Sequence, residues 1–130
     1  ARRVIACKLI EKAYRQGHAI YLKTDSAEAT RQLDDLLWTF RQGSFVPHEI
    51  AGEAPSEAPV IIGHDAPPEG LRDVLVNMGL PLPAGFEAFE RIAEVVDQDE
   101  TVRQAGRVRY KAYKDAGHTL HTHPLDRSEA

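Results

Sequence analysis

Apolar and polar positions along the chain fall into two alternating rhythms. Ala6, Leu9, Ile10, Ala13 and Tyr14 recur at helical spacing and stop at Gly17, which predicts an opening helix. His18-Ala19-Ile20-Tyr21-Leu22 is a short β-leaning run, and Asp25 with Glu28 three residues later reads as a carboxylate variant of a capping box. Behind that start, Ala29, Leu33, Leu36, Leu37 and Phe40 form one stripe of a second helix closed by Gly43, with Trp38 off to the side.

Phe45-Val46-Pro47-His48 reads as a short extended piece suited to a sheet edge, because Pro47 has no backbone donor. Val60-Ile61-Ile62 and Val74-Leu75-Val76-Asn77-Met78 are continuous apolar runs, the pattern of strands covered on both faces. Between them lies the turn-rich Asp65-Ala66-Pro67-Pro68-Glu69-Gly70, and Leu80 to Gly85 is a second loop. Phe86 to Ile92 predicts a short helix and Ala93-Glu94-Val95-Val96 a strand. A long helix then starts at Asp99 or Thr101 and stops at Gly117, leaving Leu120 in a final extended segment. Strands alternating with helices predict an α/β fold: three layers, a mostly parallel sheet, and helices on both faces.

The 130 residues suit one domain over 1–130, and 42% hydrophobic with 28% charged residues is the balance of a packed globular chain. No run reaches the apolar length of a membrane span, and Cys7 alone permits neither an intrachain disulfide nor a cysteine zinc site, which together predict a cytoplasmic protein. The net charge of −4 is unevenly spread: residues 101–117 hold five basic residues against Asp115, a net of +4, leaving −8 for the rest. That distribution predicts a localised site for an anionic partner.

Motifs for catalysis are sparse. No two glycines are separated by a single residue, so G-x-G-x-x-G cannot occur, and neither a Walker loop nor G-x-S-x-G is present. Cys7 falls in the apolar rhythm of the first helix, where a thiol is buried and inert. Ser44 and His48 lie four apart around the predicted edge strand, and Asp34 with Asp35 fits the solvated side of the second helix. His118, His121 and His123 form H-x-x-H-x-H, which would give zinc or nickel nitrogen ligands in a metal-dependent enzyme, although such a cluster is more often incidental.

The last helix has its charges arranged. At 100° per residue Arg103, Arg107, Tyr110, Lys111 and Lys114 share one stripe, while Val102, Ala105, Ala112, Tyr113 and Ala116 group on the core side. Arg109 sits among the core-side residues, where it either pairs with a buried acid or snorkels to the surface. The bland reading of the stripe is a solvated face. Against it, Arg107, Lys111 and Lys114 have no carboxylate four residues before them, and an aromatic interrupts the cations. The combination suits a peptide carrying a carboxylate and an aromatic ring. A direct nucleic-acid binder would use the same cations, but one stripe in an otherwise acidic chain is a poor groove.

Arg107-Val108-Arg109-Tyr110-Lys111-Ala112-Tyr113, followed by Gly117 and a short strand, resembles the C-terminal signature of the chi subunit family of bacterial DNA polymerase III. Leu33-Asp34-Asp35-Leu36-Leu37-Trp38, Ser44-Phe45-Val46-Pro47-His48, Ala51-Gly52, Asp73-Val74-Leu75-Val76-Asn77 and Glu94-Val95-Val96-Asp97 resemble further blocks of that family. The family normally opens with a strand before the helix holding Ala6-Cys7-Lys8-Leu9, and that strand is not in this sequence.

The resemblance implies a non-catalytic adaptor without a cofactor. It implies pairing with the psi subunit, which tethers it to the clamp loader, and capture of the acidic C-terminal tail of single-stranded DNA-binding protein, with no membrane contact and no tight direct DNA binding. By the same resemblance the tail-binding positions are Arg103, Arg107, Tyr110, Lys111, Leu120 and Thr122, with Trp38, Phe45 and Val96 as surrounding apolar positions. Trp38 and Val96 are also open to a plain core role.

Overall fold

A computed structural model describes residues 2–39, 46–52, 58–96, 100–118 and 120–124, with backbone alone at 96, 100 and 120–124. The elements are α1 (Arg2–Arg15), β1 (Ile20–Lys23), α2 (Ala27–Thr39), β2 (His48–Ile50), β3 (Val60–Gly63), β4 (Val74–Asn77), β5 (Arg91–Val96), α3 (Glu100–Asp115) and β6 (Leu120–Pro124). All six strands are parallel, in the order β2-β3-β1-β4-β5-β6.

Period-2 alternation divides the apolar side chains between two layers. Ile20, Leu22, Val60, Ile62, Val74, Val76, Ala93 and Val95 face α1 and α2, where they bury Ile5, Cys7, Ile10, Leu33 and Leu37. Tyr21, Ile61, Leu75 and Ile92 face the other way, onto Phe86, Phe89 and Tyr113 of α3. The three-layer parallel architecture read from the sequence is therefore the one observed.

Two local expectations change. The helix expected over 86–92 shrinks to a 3₁₀ turn at Phe86–Ala88, because Arg91 and Ile92 already pair with Val74 and Leu75 as the start of β5. The cap of α2 is Ser26, whose Oγ accepts from the Ala29 N–H at 3.0 Å. Asp25, expected in that role, instead accepts from the Leu80 N–H at 2.9 Å across the sheet. Phe40 and Gly43, expected to extend and close α2, lie outside the described residues, and α2 ends at Thr39. α3 stops where expected, with Gly117 at φ 83°, a left-handed conformation that glycine adopts without strain.

Among the described residues no helix is long and apolar enough to cross a membrane.

Candidate partner-binding face

Open α/β sheets bind nucleotides beyond the strand carboxyl ends, where successive connections leave in opposite directions. Here that point lies between β1 and β4. It is occupied by the chain itself: Asp25 follows β1 and its carboxylate takes the Leu80 N–H, and a Cβ at Gly79 would collide with the same carboxylate. A carboxylate in this crevice repels phosphate, so the geometry agrees with the missing phosphate loop. Cys7 and His48 are held in structural roles. Cys7 is fully buried, and burial pushes its thiol pKa up to about 12. His48 is buried with Nδ1 2.6 Å from the Val46 carbonyl and Nε2 3.3 Å from Asp34 Oδ1, so neither ring nitrogen is available as a base, while Ser44 lies outside the described residues. His118 Nε2 sits 3.2 Å from the Glu87 carbonyl and its ring packs edge-on against Phe86. His121 and His123 stand opposite Ala93 and Val95 in the β5–β6 register, and their side chains are not described.

α3 presents the cations. Arg103, Arg107, Tyr110, Lys111 and Lys114 are all exposed, Tyr110 at 49%. On the opposite side Tyr113 is fully buried, Val102, Ala105 and Ala112 are half-buried, and Ala116, expected in the core, is exposed one residue past the end of the helix.

What fixes this rotation is a buried polar cluster. Arg109, 1% exposed, donates from Nε to Glu94 Oε2 at 2.9 Å and from Nη2 to Oε1 at 2.8 Å, a two-point ion pair. Tyr113 Oη donates to Glu94 Oε2 at 2.5 Å, and Asn77 Nδ2 donates to the same oxygen at 2.9 Å. Arg109 Nη1 also donates to the Leu80 carbonyl, whose N–H is held by Asp25. Of the two fates the sequence left open for Arg109, pairing with a buried acid is the one adopted. Burial, reinforced by the charge of Glu94 and the hydrogen bond to it, raises the Tyr113 pKa, with Arg109 partly opposing, so Tyr113 stays a neutral donor.

Sequence reasoning assigned Glu94 and Asn77 no role. The signal for Glu94 was a lone carboxylate inside Ile-Ala-Glu-Val-Val, since a charge on a two-face-covered strand requires a partner.

The remaining candidate positions divide into two groups. Leu120 and Thr122 pair in register with Ile92 and Glu94, two β5 residues that contact Tyr113 or Arg109 of α3, and Val96 pairs with Pro124. These positions therefore belong to the α3 end of the sheet. Trp38, 55% exposed and so not core, packs at a tilt against His48 with ring centroids 4.7 Å apart. His48 is on edge strand β2, four strands from β5, roughly 19 Å along the sheet. α2 also lies on the other layer from α3, so Trp38 is not brought to the cationic stripe. Phe45 lies outside the described residues.

The family model for the DNA polymerase III chi subunit, HolC, matches residues 1–121. The chain belongs to the chi subunit family. Curated relatives agree. The chain is 41% identical over 127 residues to the DNA polymerase III subunit chi of Pseudomonas aeruginosa, covering 98% of this chain and 89% of that one. It is 31% identical over 120 residues to the Escherichia coli subunit chi (91% and 82% covered) and 29% identical over 120 residues to that of Haemophilus influenzae (91% and 83% covered). The resemblance drawn from the sequence is thereby shown, and it places the chain with an accessory subunit of the replicative polymerase.

Proposed function

We propose that this chi-family chain is a non-catalytic adaptor whose α3 face captures the acidic C-terminal tail of single-stranded DNA-binding protein, and which is joined through the psi subunit to the clamp loader. The observation that carries this reading is the exposed set Arg103, Arg107, Tyr110 and Lys111, held outward by the buried Arg109–Glu94 pair. Acidic tail residues are attracted to the cations, which raises the association rate at low salt, and the terminal carboxylate takes charge-assisted hydrogen bonds from an arginine. Tyr110, with the β6 positions Leu120 and Thr122 and the β5 position Val96, supplies the apolar floor for the terminal aromatic ring. Trp38, at the other edge of the sheet, falls outside this notch.

Affinity is modest because a flexible peptide is ordered on binding, and several tails on one oligomeric partner raise it by effective concentration. The test is titration with an acidic peptide ending in a free aromatic carboxylate beside its C-terminally amidated twin, at two salt concentrations. Binding that weakens with salt and on amidation supports capture of the tail end. Equal binding of both peptides, or of neither, refutes it.

A further inference from the structure

His48 opens the edge strand β2, and its side chain is fully buried. It pairs in register with Val60, so it stands on the face of the sheet that α2 covers. A buried imidazole has two ring nitrogens to satisfy. Nδ1 lies 2.6 Å from the Val46 carbonyl oxygen. Nε2 lies 3.2 Å from the Asp34 main-chain carbonyl and 3.3 Å from Asp34 Oδ1.

Main-chain carbonyls have no hydrogen to give. A neutral imidazole carries one N–H and one bare nitrogen, so in either tautomer a lone pair would face a carbonyl oxygen. The imidazolium donates from both nitrogens and satisfies both sides.

The surroundings favour the same state. Asp34 of α2 sets its carboxylate beside Nε2, and the other charged residues of that part of α2, Arg31 and Asp35, are exposed. Val60 of β3 is apolar, and Glu49, next on β2, belongs to the opposite face by strand alternation. Trp38, one helical turn after Asp34, lays its ring against His48 with centroids 4.7 Å apart and planes at 55°. A cation within about 6 Å of an indole is attracted by the ring.

We propose that His48 is a buried imidazolium, and that its proton is a pH-sensitive latch holding the start of β2 and the Trp38 ring against α2. At neutral pH and below, both N–H groups are present: one ties the ring to Val46 and the other ties it to Asp34. As pH rises and one proton passes to solvent, a bare nitrogen faces an oxygen, and both the ion pair with Asp34 and the attraction to Trp38 are lost. The latch is therefore closed on the acid side and released on the alkaline side.

Trp38 is the single tryptophan of the chain, so its fluorescence reports this contact directly. A protonated imidazole in contact with an indole quenches its emission. The expected result is a single rise in emission as pH increases above about 6, absent from His48→Gln. Asp34→Asn, which keeps the main-chain acceptor but removes the carboxylate charge, should move the midpoint to lower pH. Circular dichroism checks the fold of each variant. If His48→Gln unfolds, nitrogen NMR of the histidine-labelled wild-type chain keeps the test decisive: both His48 ring nitrogens should carry protons at about pH 7, where a free imidazole is mostly neutral. One bare ring nitrogen at that pH overturns the proposal. So does a wild-type emission that does not change with pH, a rise of wild-type size in folded His48→Gln, or an unmoved midpoint in Asp34→Asn.

Discussion

Replacing Arg109 by methionine removes one guanidinium from a site with almost no solvent and leaves the rest of the cluster in place. Glu94 then loses both Arg109 donors, the bonds of 2.9 and 2.8 Å, and the Leu80 carbonyl loses its side-chain donor. Breaking one partner of a buried ion pair costs about 3–5 kcal/mol. Tyr113 and Asn77 still donate to Oε2, which puts the expected cost near the lower end, ~3 kcal/mol. Unfolding entropy of about 2.1 cal/mol/K per residue gives roughly 0.27 kcal/mol/K for a chain of this length, so the melting temperature should fall by about 11 °C. The loss should be cooperative, because α3 is tied through this cluster both to β5 and to the turn at Leu80.

The triple variant Arg109→Met/Glu94→Leu/Tyr113→Phe supplies the control. It removes the charge pair and the hydroxyl that would be left without an acceptor, and apolar replacement of a whole buried pair is often neutral. Differential scanning calorimetry of the single and triple variants is the assay. Most of the 11 °C should return in the triple variant. An Arg109→Met protein melting within about 2 °C of wild type would refute the assignment of Arg109 as the anchor of α3.

Other outcomes follow from the same geometry. Arg107→Ala, on the exposed face of α3, should weaken binding of the acidic tail peptide by roughly three- to tenfold, flatten its salt dependence and leave the melting temperature unchanged, as read by calorimetric titration. Cys7 should resist a disulfide reagent at pH 8 until the protein is unfolded. Its thiol ionises near 9 in the open chain and near 12 when buried, so the folded state loses up to about 1.4 kcal/mol per pH unit as pH rises through that window. Cys7→Ala should remove that share of the alkaline loss, measured as denaturation midpoints from pH 8 to 11. The raised Tyr21 and Tyr113 pKa values act in the same direction above about pH 10 and will keep some slope in the variant. Gly79→Ala should destabilise by more than a normal surface change, because the new Cβ meets the Asp25 carboxylate and displaces it from the Leu80 N–H. Urea denaturation would show it.

Local signals carried the architecture. Val60-Ile61-Ile62 and Val74-Leu75-Val76 are apolar without alternation, which only a strand covered on both faces allows, and both proved to be central strands of the parallel sheet. The stripe on α3 was legible because helical periodicity is local, and a phase angle is enough to separate Tyr110 from Tyr113. The misread stretch at 86–92 mixes two signals: Phe86 and Phe89 are spaced like a helical face, while Ile92-Ala93-Glu94-Val95-Val96 is a strand-like apolar run broken only by Glu94, and sheet pairing with β4 decided between them.

The polar cluster could not be read because its bonds are non-local. Arg109 reaches Glu94 fifteen positions away and the Leu80 carbonyl twenty-nine away, and Asp25 reaches Leu80 across fifty-five. Asp25 looked like a helix cap because Glu28 follows it by three residues, but the neighbouring Ser26 caps α2 and the Asp25 carboxylate takes the Leu80 N–H. Trp38 was placed with the cations by resemblance alone, and only the strand order reveals how far along the sheet it stands.

The most direct test of the central claim is to map amide chemical shifts while the free-acid acidic peptide is added to the isotopically labelled chain. Shifts concentrated on α3 around Arg103, Arg107, Tyr110 and Lys111 and on the adjoining β6, with α1 and Trp38 unmoved, are the predicted result. Shifts centred on α1 or on the β2 edge, with α3 silent, would contradict it.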